Sequence, residues 1–240
     1  VLSREFLIAL FSSFQGLRNL TWNGCPEDPQ NSDLYQGCIQ WNFHLQSLRT
    51  KSGLLFAFPT PVLTDRHVLA IDLDASGDTF SPILESYRVH LPHLTELTLN
   101  GSWVGLVQVE APNLRHLDLV GYSGNHRYLA QTTLDPLFLK IFDDGTGQIM
   151  EALLAREPWP KVVELLIHLE AHWACGNGRL ARLFSADIVT AKFPQIKTLL
   201  IQIGGRWMQK GGELRVMTQE QVEAETLPTF GDRPYTVLVL

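Results

Sequence analysis

Short stretches of alternating apolar and polar residues recur along this chain, and one phrase introduces most of them. The phrase is an apolar residue, a proline, one further residue and then a leucine-rich run. It reads Leu91-Pro92-His93-Leu94-Thr95-Glu96-Leu97-Thr98-Leu99 and again Ala111-Pro112-Asn113-Leu114-Arg115-His116-Leu117-Asp118-Leu119. Looser copies run from Trp159-Pro160 to Ile167 and from Phe193-Pro194 to Ile201, and a copy without proline runs from Phe14 to Trp22. The alternation predicts strands with one buried face. In Leu97-Thr98-Leu99-Asn100 the leucines point inward and Thr98 and Asn100 outward. In Ile71-Asp72-Leu73-Asp74 the outward pair is Asp72 and Asp74.

Helical spacing precedes several of these phrases. Ser3 caps a predicted helix over Glu5 to Ser13, and Ser81-Pro82 opens one towards Val89. Gln148 to Arg156 is helical and stops before Pro158; Gly178 to Thr190 carries Leu180, Leu183, Phe184 and Ile188 on one face. A proline after each helix removes a donor and biases the preceding residue away from the helical region, so it ends the helix and starts the strand.

The phrases are anchored at Leu17, Leu45, Val68, Leu94, Leu114, Val162 and Ile196, with spacings of 28, 23, 26, 20, 48 and 34 residues. The 48-residue interval is long enough to hold one degenerate unit around Leu134-Asp135-Pro136-Leu137-Phe138-Leu139. One strand plus one helix cannot bury its own apolar face, so such units must stack. The predicted architecture is an α/β solenoid, an arc with parallel strands on the concave face and helices on the convex face. Two regions lie outside the pattern. Gly24 to Asp33 is a polar, turn-rich loop, and from Gly204 onward no phrase recurs, although Leu214 to Met217 and Tyr235 to Leu240 read as strands. The expected organisation is a repeat domain over 1–203 and an atypical cap or extension over 204–240.

These phrases resemble leucine-rich-repeat proteins of the irregular kind found in the substrate-binding half of fungal F-box-like proteins. The shared elements are a helix, then Phe, Leu or Trp followed by Pro-x-Leu/Ile, then a short leucine-rich strand at uneven spacing, over about residues 1–203. The Asn that follows the strand in regular repeats stands here only as Asn100 and Asn23, which argues against a regular receptor-type array. No F-box motif is present. The resemblance implies adaptor work, in which one end, through an upstream segment, docks a ubiquitin-ligase scaffold and the repeats hold a substrate.

Composition narrows the partners. The chain has 240 residues, 45% hydrophobic and 18% charged, with a net charge of −6. That is ample core material and no signature of disorder. The acidic balance and the lack of a Lys/Arg run speak against nucleic acid, and no apolar stretch is long enough to span a bilayer. Cys25, Cys38 and Cys175 are an odd, low count, read as thiols in a reducing compartment rather than as a disulfide framework, though Cys25 and Cys38 could pair in an oxidising one. The sequons Asn19-Leu20-Thr21 and Asn100-Gly101-Ser102 overlap predicted strands and read as chance. The chain opens Val1-Leu2-Ser3 without Met, as a fragment or processed product does, and Phe6 to Phe11 lacks the flanks of a signal peptide.

The candidate site is the outward ladder of the strands. It comprises Asp72, Asp74, Glu96, Thr98, Asn100, His116 and Asp118, then Leu166, His168, Leu200 and Gln202, with Thr21 and Asn23 at its start. Lateral neighbours on such a ladder sit about 4.8 Å apart, so Asp72, Asp74, Glu96 and Asp118 are expected to concentrate negative charge and to meet Lys or Arg of a protein or peptide partner. The alternative is a solvated polar face. Leu166 and Leu200 share one outward position and would make an apolar spot, unless the C-terminal segment folds over them.

His168 and His172 lie four apart, a metal pair only on a helix; on a strand they stand about 13 Å apart, so no metal site is expected. Nucleophile-elbow, phosphate-loop, zinc-protease and Cys-x-x-Cys patterns are absent, and Asp143-Asp144-Gly145-Thr146-Gly147 reads as a turn. The expectation is a non-catalytic scaffold without a cofactor, in cytosol or nucleus, that binds protein and neither nucleic acid nor membrane. The alternatives are a fragment of an extracellular or immune-type repeat receptor and an enzyme with a loop-borne site in 24–40 or 121–135.

Overall fold

The computed structural model describes residues 4–22, 42–51, 68–72, 88–101, 105–121, 126–143, 148–170, 185–204, 207–208, 214–215, 234 and 236–239. The chain divides into two compact units, residues 1–114 and 115–240. Both are α/β with parallel strands, and no closed barrel forms among the described residues.

The first unit contains α1 (Arg4–Ser13), β1 (Asn19–Trp22), β2 (Ser47–Lys51), β3 (Val68–Asp72), β4 (Val89–His90), β5 (Glu96–Gly101), α2 (Gly105–Gln108) and β6 (Val109–Glu110). Strands β1, β2, β3 and β5 lie side by side in parallel, while β4 pairs with β6. Leu48, Leu97 and Leu99 are buried and Glu96 and Asn100 exposed, as period-two alternation requires. The register partners Asn19, Ser47, Val68 and Glu96 are 28, 21 and 28 residues apart. Val68 therefore stands level with Glu96 in an outward row. It is thus not level with the anchor Leu94, and the residues immediately before Val68 lie outside the described ones. Asn23, Asp74, the loop at 24–33 and the Ser81-Pro82 helix start lie outside the described residues.

The second unit contains β7 (His116–Gly121), α3 (His126–Gln131), β8 (Phe138–Asp143), α4 (Gln148–Ala155), β9 (Glu164–Glu170), α5 (Ala186–Lys192), β10 (Thr198–Gly204), the short antiparallel pair β11 (Trp207–Met208) and β12 (Leu214–Arg215), and β13 (Thr236–Val239). Its sheet runs β7-β8-β9-β10-β13, all parallel. Two rows form the centre: Leu117, Leu139, Leu165 and Leu199, then Leu119, Ile141, Ile167 and Ile201, all essentially without solvent contact. Burying each such side chain contributes about 1.5–3 kcal/mol. Helices α3 and α4 lie side by side, with α4 against β8, and supply Tyr128, Leu129, Leu153 and Leu154 to the core. Helix α5 begins at Ala186 and ends at Lys192, two residues beyond the expected Thr190; Leu180 to Phe184 lie outside the described residues. The C-terminal segment contributes β13 to the same sheet.

The proline phrase is a turn. The amide of Leu94 donates to the carbonyl of Leu91 (3.2 Å), Leu114 to Ala111 (3.2 Å), Val162 to Trp159 (3.4 Å) and Ile196 to Phe193 (3.0 Å). Each is a four-residue turn with proline in its second position, where a fixed φ of about −65° is already correct. The residues at both ends of each turn are buried, so the turn is also a core contact.

Trp159 joins two successive helix–strand segments of the second unit. It is wholly buried, and its amide donates to the carbonyl of Lys192 (2.7 Å). The Lys192 ammonium donates in turn to the carbonyl of Arg156, just past the end of α4 (2.6 Å), a helix C-terminus being favourable for a cation. The Arg156 guanidinium lies 3.8 Å over the Trp159 ring. Burial pulls its pKa below the ordinary arginine value, against the opposing pull of Asp135 and Glu157.

Candidate functional site

The site is built from side chains that alternation leaves on the outer face of each sheet. In the second unit the parallel register sorts them into three rows. The first is His116, Phe138, Glu164 and Thr198; the second is Asp118, Lys140, Leu166 and Leu200; the third is Val120, Phe142, His168 and Gln202. His116, Lys140 and Gln202 are exposed, and the others half-buried.

Two imidazole–phenyl stacks bracket this array. His116 stacks on Phe138 at 4.6 Å between ring centroids, with 26° between planes; His168 stacks on Phe142 at 4.5 Å and 17°. Both phenyl rings belong to β8, four residues apart and on one face, and Lys140 stands between them. Its ammonium donates to Asp118 Oδ2 at 3.1 Å, so the central cation of the face is turned towards β7. The other carboxylate oxygen, Oδ1, is buried without a hydrogen-bond partner. Leu166 and Leu200 are neighbours in the second row and half-buried, and Leu238 of β13 continues their register.

In the first unit the outward rows are Asn19, Ser47, Val68 and Glu96; Thr21, Arg49, Ala70 and Thr98; and Lys51, Asp72 and Asn100. Asp72 thus stands between Lys51 and Asn100 in register, and Glu96 beside Val68. Of the acids expected to cluster, Asp72 is level with Lys51 in the first unit, and Asp118 is bonded to Lys140 in the second. Asp74 and His172 lie outside the described residues.

Phe138, Lys140 and Phe142 were not legible as site residues because their unit lacks the usual turn. Pro136 occupies the place that closes the turn elsewhere, level with Val162, two residues before the aligned pair Phe138 and Glu164. Proline has no amide to donate, so the turn bond is missing, while Leu137 still donates to the carbonyl of Arg115 (3.0 Å) as Val163 does to Leu137 and Lys197 to Val163. The signal that was available is the alternation Phe138-Leu139-Lys140-Ile141-Phe142 itself.

Among the described residues no three His, Cys, Asp or Glu side chains come together as a metal site. No described helix is long and apolar enough to cross a membrane. No protein-family model, curated protein or solved structure matches this chain.

Proposed function

We propose that this chain is a non-catalytic scaffold for protein–protein interaction, an irregular leucine-rich-repeat solenoid that holds its partner on the strand face. The observation that carries the reading is the outer face of β7 to β10. Half-buried Phe138 and Phe142 stand there on either side of the row that holds Leu166 and Leu200, with polar residues around them. Apolar and aromatic side chains grouped on a surface with a polar rim are the composition of an interface centre. In the more specific form of the proposal, the repeats recognise the substrate of an F-box-type ubiquitin-ligase adaptor in the cytosol or nucleus. The irregular spacing and the proline turns support that form.

The test is affinity capture from native extract with the intact protein. Wild type is compared with Leu166→Glu/Leu200→Glu on the strand face and with Asp187→Lys on exposed α5. The expected result is a protein held by wild type and by Asp187→Lys and lost from the double variant, together with a ubiquitin-ligase scaffold retained by all three. An identical set of proteins on all three baits would remove the strand face from consideration.

A further inference from the structure

We infer that the outer face of β7 to β10 takes a peptide segment in which an aliphatic residue is accompanied by Lys or Arg; this rests on the interaction-scaffold reading above. The apolar part of the face is Phe138 and Phe142 of β8 with Leu166 and Leu200 beside them. The stacked imidazoles already cover one side of each phenyl ring. His116 reaches Phe138 from β7, so the uncommitted face of that ring lies towards β9, whereas His168 of β9 covers Phe142 on that side; Phe138, Leu166 and Leu200 together call for an aliphatic side chain of the ligand.

Charge sets the rest of the ligand. The formal charges of this face are Asp118, Lys140 and Glu164, with Glu170 at the far end of β9. The first two neutralise each other through a 3.1 Å ion pair. Glu164 has no ion pair with any described residue, and it stands two residues before Leu166 on the same face of β9. A carboxylate left over at the edge of an apolar field is complemented by a cation. Spacing adds a constraint. Residues two apart on a strand are about 6.6–6.8 Å apart, so an extended peptide lying along β9 brings a basic residue to Glu164 and an aliphatic residue to Leu166 when the two are separated by one position. The net charge of −6 favours the approach of such a segment.

The experiment is panning of a random peptide library displayed on phage against the intact protein. Enriched clones are then measured on Glu164→Lys, Leu166→Glu and Asp187→Lys, each checked for unchanged circular dichroism. The expected result is enrichment of an aliphatic residue with Lys or Arg two positions away, one residue standing between them. These clones lose about tenfold or more in affinity on Glu164→Lys, the size of one lost charge pair, lose binding on Leu166→Glu, and keep it on Asp187→Lys. Clones that fail on Leu166→Glu but carry acidic or uncharged neighbours, or bind Glu164→Lys equally well, overturn the basic-ligand inference and leave the interaction face standing. Clones indifferent to Leu166→Glu, or no enrichment at all, overturn both.

Discussion

The imidazole of His168 lies 4.5 Å from the phenyl ring of Phe142, nearly parallel to it, across the register pair that joins β8 to β9. Cross-strand pairs of this type contribute beyond the area they bury, by about 0.5–1.5 kcal/mol for aromatic rings. A double-mutant cycle over His168→Ala and Phe142→Ala, read by urea unfolding, is expected to show a coupling in that range. The same cycle over His168 and Phe138, which are not register partners, is expected to give additive losses. Equal couplings in both cycles would contradict the stacked geometry.

The Asp118–Lys140 pair leads to a different asymmetry. Both side chains retain solvent contact, 31% and 48% exposed, so the pair itself is worth at most about 1 kcal/mol. Lys140→Met nevertheless leaves a carboxylate whose second oxygen is buried without a partner. The single variant is expected to lose about 1 kcal/mol, and Asp118→Leu/Lys140→Met to recover most of it, because removing both partners is cheaper than orphaning one. Denaturant midpoints of the three proteins decide the matter.

Trp159 is expected to be the most sensitive core position of the second unit. Trp159→Ala removes a wholly buried ring and the platform under Arg156, a loss of about 3–5 kcal/mol. Its indole Nε1 is buried with no hydrogen-bond partner, and such a donor costs about 1–3 kcal/mol. Trp159→Phe discards that donor along with some packing, so its net cost is expected to stay below about 1.5 kcal/mol. A phenylalanine variant as unstable as the alanine one would show that the indole nitrogen is satisfied.

Gly16 adopts a φ of 70° and donates its amide to the Asn42 carbonyl (3.3 Å). Nothing lies within 4 Å of the position a Cβ would take. Gly16→Ala therefore carries only the backbone term, about 1–2 kcal/mol. Gly16→Asn is expected to lose less, since Asn tolerates the left-handed region. Thermal melting of both variants tests the order.

Much of the fold was legible where the determinants are local. The alternation in Leu97 to Asn100 and in Leu165 to His168 assigned strands and faces that the structure retains, because strand geometry alone sends successive side chains to opposite sides. Helices α1 and α4 were readable to within a residue or two from apolar spacing. Val68 stands level with Glu96 rather than with the anchor Leu94, because a strand's register depends on its neighbour. The β8 unit was readable only as an interval, since Pro136 stands where the other units close a turn with an amide.

The sequence by itself determined most of the long strands, which of their faces is apolar, and where prolines turn the chain, all of which follow from the geometry of a few consecutive residues. Only the tertiary structure decided who stands beside whom. The pairing of Asp118 with Lys140, the stacking of His116 and His168 on the two phenyl rings of β8, and the place of Glu164 beside Phe138 all depend on lateral register between segments 22 to 26 residues apart. Residue order within one segment carries no information about that register until the buried rows of neighbouring strands are packed against each other.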